Sequence, residues 1–271
     1  EHASHVLAAV AAGKRAVFCE KPIATTIEEA QRVIAACRAA GTSLVVGTNH
    51  LFDPAWSRAK HHLIAGGGNV QSMTITASLA PNSRYHTAVT EFAPEGAPPG
   101  RAAPDWNDVS VAAGVVRQLT LGLLVHDLPI VRDLVPGGVR VVYARPVPPI
   151  GCAIGYLAGG VLVQLTAVMS PAGPDSLWRM TIGTSVDRID VEFPPPFVHV
   201  GSAAVRVRSG DGRHTRFPRQ AEDGYLAEWR ALVRVLDGHD VVEYDELLSD
   251  ARYAIELADA ASAVVRQGGA S

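Results

Sequence analysis

The residues best suited to chemistry lie near the start of the chain, in the tetrapeptide Cys19-Glu20-Lys21-Pro22. The apolar run Ala16-Val17-Phe18 predicts a buried strand, so Lys21 follows the carboxyl end of that strand. Open α/β sheets bind ligands outside the carboxyl ends of their strands, where a cleft wall can hold the ammonium in one position. Pro22 fixes φ and is compatible with a cis turn that aims the lysine. A strand-to-helix turn with a solvated lysine is the alternative interpretation.

The residues on either side of this turn predict a strand–helix–strand unit. A helix over 3–12 precedes the first strand. Thr26, with Glu29 three residues later, forms a capping box that predicts the start of the next helix, and Gly41 predicts its end. Leu44-Val45-Val46 predicts a second buried strand. The order of these elements predicts an α/β unit with a parallel sheet.

The second part of the chain has a different pattern. A half-buried strand over 70–79 is followed by a Pro- and Gly-rich loop over 81–108 and a long apolar helix over 112–134. Strands over 139–145, 152–156, 161–169, 178–183, 186–191 and 198–207 predict antiparallel hairpins, and amphipathic helices over 223–236 and 247–266 follow. We therefore predict two domains, α/β over 1–68 and α+β with a large, mostly antiparallel open sheet over 69–271. The last helix is expected to pack back on the first domain.

Composition limits the classes of function. Hydrophobic residues make up 48% and charged residues 19% of the 271 residues, which is typical of a globular protein. The net charge of −3 argues against nucleic acid and anionic membrane surfaces as partners, and we see no apolar stretch near the roughly 18 residues of a membrane span. Three widely spaced cysteines give neither a metal-ligand pattern nor a disulfide framework, so we predict no metal and a cytoplasmic location.

Further candidates for a site come later in the chain. His126 lies on the long apolar helix, where a buried core histidine is the alternative to a catalytic one. Asn49 and His50 follow the second strand, and Trp106 ends the Pro- and Gly-rich loop, which we interpret as a substrate-side loop. Plain loop roles are the alternative for these three residues.

Together these residues resemble the Gfo/Idh/MocA family of glucose–fructose oxidoreductases and inositol dehydrogenases. The resemblance rests on His2 with its Ala-rich helix, on Cys19-Glu20-Lys21-Pro22, and on Gly47-Thr48-Asn49-His50-Leu51-Phe52-Asp53-Pro54. The helix with His126 and the order Tyr225, Glu228, Asp245 extend it over essentially the whole chain. It implies an N-terminal NAD- or NADP-binding Rossmann domain, of which 1–68 would be the remaining part. It also implies a C-terminal domain whose sheet forms the substrate site on one face and a homo-oligomer interface on the other.

The resemblance also implies roles for individual residues. Lys21 and His126 would be catalytic, with the lysine at the reacting oxygen and the histidine as general acid and base. The cofactor side would comprise His2, Glu20, Lys21 and Pro22. The substrate, a sugar, cyclitol or similar small polyol, would contact Lys21, Asn49, His50, Trp106 and His126.

The chain departs from the family pattern in three ways. The Gly-rich dinucleotide fingerprint is absent from these residues, and the chain opens inside a helical pattern without Met, so we expect a fragment that lacks roughly 70 to 90 residues. Gly122 stands where many members have an aspartate one turn before the histidine, and Pro129 stands where an acidic residue often follows it. Asp127 lies beside His126, and we expect it to face another direction on a helix.

Three functional hypotheses follow. The first is an NAD(P)-dependent dehydrogenase or reductase, in which a group with a pKa near the working pH removes the hydroxyl proton while an ammonium stabilises the alkoxide. The second is a non-catalytic sensor of ligand or cofactor on the same fold, favoured by Gly122 and Pro129. The third is an inactive truncated remnant.

Overall fold

The computed structural model describes residues 2–80, 104–169, 176–196 and 198–268. Its helices are α1 (His2–Ala11), α2 (Ile27–Ala40), α3 (Asn49–Phe52), α4 (Pro54–Ile64), α5 (Val109–Gly122), α6 (Leu128–Leu134), α7 (Gly224–Leu236) and α8 (Tyr244–Gly268), with a 3-10 turn at Leu124–His126. Its strands are β1 (Ala16–Glu20), β2 (Ser43–Gly47), β3 (Val70–Leu79), β4 (Val139–Pro146), β5 (Gly151–Ala158), β6 (Val161–Met169), β7 (Leu177–Thr184), β8 (Asp187–Phe193), β9 (Ala204–Ser209) and β10 (His214–Phe217).

The first sheet pairs β1 and β2 in parallel, from Ala16 opposite Ser43 to Glu20 opposite Gly47. Helix α2 connects the strands. Its start is fixed by the Thr26 side chain, which accepts a hydrogen bond from the Glu29 backbone N–H, and its end by Gly41 at φ 65°. The predicted α/β unit is confirmed. Because both strands run the same way, their carboxyl ends and the turns that follow them lie at one edge.

The second sheet has eight strands in the order β10-β9-β8-β7-β3-β6-β5-β4. Strand β3 lies inside the sheet, parallel to β6 and antiparallel to β7, and the other neighbours are antiparallel. Helix α8 packs against β4 and α5, so helices cover one face of the sheet. Helix α8 also contacts α2 of the first unit. The predicted large, mostly antiparallel sheet is confirmed.

The single helix predicted over 112–134 is wrong. Helix α5 ends at Gly122, a 3-10 turn carries His126, and α6 begins at Leu128. Pro129 explains the restart, because proline has no N–H to donate and is best placed in the first turn of a helix. The break turns His126 and Asp127 toward different neighbours.

The stretch Val109–His126 corrects a second expectation. Its length and mean hydropathy of 1.5 match those of a membrane span, although no such stretch was expected. The α-helix within it ends at Gly122, and 44% of the stretch is buried inside the fold. Core helices of globular proteins meet the same composition criterion.

The strand predicted over 198–207 begins only at Ala204. Gly201 has φ 92°, and a Cβ there would lie 2.0 Å from the Gln220 carbonyl oxygen, so the chain bends before the strand. The Ala203 N–H donates to the Asp53 side chain instead of to a neighbouring strand. Most of the predicted substrate-side loop, with Tyr85 and His86, lies outside the described residues.

Candidate active site

The Lys21–Pro22 turn directly follows β1. The Lys21–Pro22 peptide bond is cis, as the sequence allowed, and the His2 Nδ1–H donates to the Pro22 carbonyl oxygen over 2.8 Å. The Lys21 ammonium donates to the Gly122 carbonyl oxygen over 2.6 Å, which ties the turn to the end of α5. Burial lowers the pKa of Lys21, and the nearby charge of Glu20 acts in the opposite direction. The lysine is thus anchored by the backbone carbonyl of Gly122, the residue that stands where many members of the resembled family have an aspartate.

His126 lies four residues after Gly122, on the wall of a cavity of about 370 Å³. Its Nδ1 is buried and has no hydrogen-bond partner, and its ring meets the edge of Trp178 at 5.3 Å between centroids. Burial lowers the pKa of His126 well below its ordinary value, and the charges of Lys21 and His50 lower it further. A neutral imidazole with this environment is suited to accept a proton.

A second imidazole stands beside His126. The ring centroids of His50 and His126 are 5.3 Å apart, and the His50 ring stacks on Phe193 at 3.6 Å. The His50 Nδ1–H donates to Asp127 Oδ1 over 2.9 Å, and the Trp178 Nε1–H donates to Asp127 Oδ2 over 2.7 Å. Asp127 thus binds His50 and Trp178. It is part of the site, because it is completely buried and holds the neighbouring histidine.

Asn49 lines the same cavity, and its Oδ1 is buried without a hydrogen-bond partner. A tight contact fixes its backbone, because a Cβ at Gly224 would lie only 2.2 Å from the Asn49 carbonyl oxygen. The N-terminus of α7 therefore packs closely against α3, which directly follows β2. Two buried polar atoms on this cavity wall, one on Asn49 and one on His126, are available to a ligand.

Glu228 is a residue that the sequence reasoning did not select for the site. It is 2% exposed, although it belongs to a helix whose Leu226, Trp229 and Val233 are 45%, 53% and 53% exposed. Burial, followed by the charges of Glu20 and Asp223, raises the pKa of Glu228 to about 8. Its position three residues after Tyr225 was the available signal, because that spacing places a carboxyl group on the apolar side of an amphipathic helix.

The structure does not bring every candidate to one cavity. Lys21 lies on the wall of an adjoining cavity of about 550 Å³, which is lined mainly by apolar side chains such as Val46, Leu51 and Val125. Trp106 packs against the main hydrophobic core, away from both cavities. Among the residues that the structure describes, no group of three His, Cys, Asp or Glu is placed to hold a metal ion.

Comparison with known proteins gives this arrangement a context. Residues 1–48 match a family described as oxidoreductases with an NAD-binding Rossmann fold. The inositol 2-dehydrogenase 3 of Saccharopolyspora erythraea is 42% identical over 91 residues, which are 32% of this chain and 27% of that protein. The 1,5-anhydro-D-fructose reductase of Ensifer adhaerens is 48% identical over 67 residues, 24% and 19% of the two chains. The aligned stretches thus span less than a third of these relatives.

Solved structures show the fold over nearly the whole chain. A 3-ketoreductase from Actinomadura kijaniata, solved with TDP-benzene and NADP, superposes with a TM-score of 0.65 at 20% identity and covers 96% of this chain and 72% of its own. The UDP-N-acetylglucosamine 3-dehydrogenase of Acidithiobacillus ferrooxidans gives 0.69 at 17% identity, with 97% and 76% covered. These structures share with the chain a Rossmann-type unit followed by a large C-terminal sheet. Over residues 1–48 the chain is thus similar to the Gfo/Idh/MocA family, the family that its residues resemble.

Proposed function

We propose that this chain supplies the catalytic and substrate-binding part of an NAD(P)-dependent oxidoreductase that interconverts a hydroxyl and a carbonyl on a sugar, cyclitol or similar small polyol. The observation that carries the proposal is the placement of Lys21 and His126. The lysine is fixed at the carboxyl end of β1 by the Gly122 carbonyl, and the histidine is kept neutral by burial and by the charge of that lysine. The relatives, by name, act on inositols and sugar derivatives.

The residues present fit the nicotinamide side of such a cofactor. The turn of Glu20, Lys21 and Pro22, braced by His2, lies at the edge where α/β sheets bind nucleotides, and the two unpartnered polar atoms of Asn49 and His126 lie close by. We propose that His2, Glu20, Lys21 and Pro22 contact the cofactor. When bound, NAD(P) supplies the hydride acceptor or donor.

The protein groups then handle the proton and the charge on the reacting oxygen. In the oxidation direction His126 accepts the hydroxyl proton, because its depressed pKa keeps the imidazole unprotonated at neutral pH. The Lys21 ammonium stabilises the negative charge that develops on the oxygen. Asn49 and His50 orient the remaining hydroxyls from the cavity wall. In the reduction direction His126 returns the proton.

The test is Lys21→Met in the natural protein that contains this chain, assayed for reduction of NAD or NADP by a polyol. We expect kcat to fall by roughly two orders of magnitude or more, because a preorganised cationic donor at the reacting oxygen is lost. Lys60→Met is the matched control, since Lys60 also makes one polar contact, to Asp133 at 2.6 Å, far from the cavity. Equal turnover in K21M and the wild type would refute the assignment of Lys21.

The second candidate function is a ligand-binding protein that performs no hydride transfer. One observation favours this candidate. Gly122 offers Lys21 only its backbone carbonyl and has no carboxylate that could polarise His126. Calorimetry with the same polyols separates the two functions. Tight binding of polyol and cofactor without any reduced nicotinamide supports the sensor and excludes the enzyme.

A further inference from the structure

The second imidazole, that of His50, has no part in the proton transfer described above, although it lies beside His126. We propose that His50 and Asp127 form a positioning pair for His126, in which the buried Asp127 carboxylate anchors His50 and His50 holds the neighbouring His126 ring in place to accept the proton. The pair would thus do for this chain the electrostatic and orienting work for which Gly122 provides no side chain. The inference rests on the proposed function for its catalytic meaning only.

The hydrogen bonds around Asp127 determine which nitrogen of His50 carries a proton. The Asp127 carboxyl group is 0% exposed, and a carboxylate removed from water needs a donor on each oxygen. The Trp178 Nε1–H donates to Oδ2 of Asp127, and the His50 Nδ1–H donates to Oδ1. Nδ1 of His50 therefore carries a proton, which fixes the orientation of the His50 ring.

The packing holds both rings in a fixed relation. His50 lies between the Phe193 face, at 3.6 Å and 6°, and the Trp178 edge, at 4.6 Å and 81°. Trp178 also meets the His126 ring at 5.3 Å and 88°, so one indole contacts both imidazoles and binds the carboxylate. With 5.3 Å between the two imidazole centroids, a charge on one ring raises the cost of a charge on the other. Movement of His50 would also remove a ring that packs against His126.

The charged groups that act on the pair come from several elements. Lys21, from the turn after β1, and His50, from α3, both lower the pKa of His126. Asp53, at the start of α4, interacts electrostatically with His50, and Asp127 binds it directly. Trp178 and Phe193, from β7 and β8, contribute uncharged surfaces. A purely structural role for His50 predicts that its replacement by a neutral side chain leaves the titration of His126 unchanged.

The test measures the titration of His126 in the 271-residue chain by NMR of the histidine Cε1–H signals. In the wild type we expect His126 to titrate below the exposed His214, which serves as an internal reference. In His50→Gln we expect its midpoint to move up toward the ordinary value, because the electrostatic interaction with His50 that lowers the pKa of His126 is removed. His50→Phe, which preserves an aromatic stack on Phe193, gives the same reading if H50Q does not fold.

His62→Gln is the matched control, because His62 in α4 also binds an aspartate, Asp187 at 2.7 Å, and does not line the cavity of His126. It should leave the midpoint of His126 unchanged. A midpoint of His126 that is the same in H50Q or H50F as in the wild type overturns the proposal, and so does a wild-type midpoint at or above that of His214. The NMR reading needs no turnover, so absence of hydride transfer would refute the proposed function without touching this result.

The catalytic consequence is a shift in the pH profile of the natural protein. Oxidation requires neutral His126, so activity rises as the pH passes upward through its pKa. In H50Q the acid limb of kcat should move to higher pH, whatever the height of its alkaline plateau, whereas H62Q keeps the wild-type profile. A uniform loss of kcat at every pH, without displacement of the limb, contradicts the positioning role.

Discussion

At the scale of single residues, burial sets the chemistry of the site. Lys21 and His126 both have lowered pKa values because burial disfavours their charged forms, and Glu228 has a raised one for the same reason. The sequence singled out the lysine by its place after a strand, and the histidine only through the family resemblance, because a core histidine was the alternative on an apolar helix. It did not predict Asp127 as a partner of His50, because these residues are 77 positions apart and meet only through tertiary packing.

Glu228 makes the stability of the fold depend on pH. Its pKa rises from an ordinary 4.5 to about 8 on folding, so the folded chain retains a proton that the unfolded chain has released. Stability from this group is therefore full below pH 4.5 and is lost as the pH rises through 8. We expect Glu228→Gln to be more stable than the wild type at alkaline pH, by about 1 kcal/mol or more, and similar to it near the lower limit.

Urea denaturation at both ends of that range measures the difference. Glu243→Gln, which changes an exposed carboxyl group before α8, is the control and should have the wild-type stability at both pH values. If E228Q and the wild type differ by the same amount at acidic and alkaline pH, Glu228 does not carry the proton.

At the scale of elements, caps and breaks position the site. The Thr26 and Gly41 caps of α2 and the Asp53-Pro54 start of α4 could be predicted because capping chemistry is local. The break between α5 and α6 was missed because a continuous apolar pattern concealed the signal of Pro129. That break places His126 in a 3-10 turn. The late start of β9 was missed because its cause, the Asp53 contact with Ala203, spans 150 positions.

Asp53 joins α4 to the segment before β9. It is 2% exposed, and its two oxygens accept from the backbone N–H groups of Ala55, at 2.7 Å, and Ala203, at 2.9 Å. We expect Asp53→Ala to lower the free energy of unfolding by about 2–4 kcal/mol, because it leaves two buried donors unpaired. Asp108→Ala removes the exposed cap of α5 and should cost only about 0.5–1 kcal/mol.

Chemical denaturation of the two variants gives the comparison. A cost for D53A no larger than that for D108A would show that Asp53 acts as an ordinary helix cap and does not hold the β9 segment.

At the scale of the whole molecule, the described helices cover one face of the large sheet, and the other face carries exposed apolar side chains. Exposed apolar side chains on strands β4 and β6 include Val142, Tyr143 and Leu162, at 55%, 36% and 40% exposure. We propose that this face forms a homo-oligomer interface, as the resemblance implied. Leu162→Arg should then reduce the mass seen by light scattering, because it places a charge in the apolar contact.

Val241→Arg is the control for that experiment, since Val241 is 82% exposed in the segment between α7 and α8 and not on the sheet. It should retain the wild-type mass. Equal masses for the wild type and L162R would exclude this face as the interface.

We propose that this site transfers hydride between a polyol carbon and nicotinamide. The most direct measurement uses sugars and cyclitols deuterated at their carbinol carbons, the natural protein, and NAD or NADP, and locates the deuterium by NMR. The account predicts that at least one polyol delivers its deuterium to the nicotinamide ring of the reduced cofactor, and that K21M abolishes the transfer. Oxidised polyol whose deuterium has passed to water, or transfer that is undiminished in K21M, would contradict it.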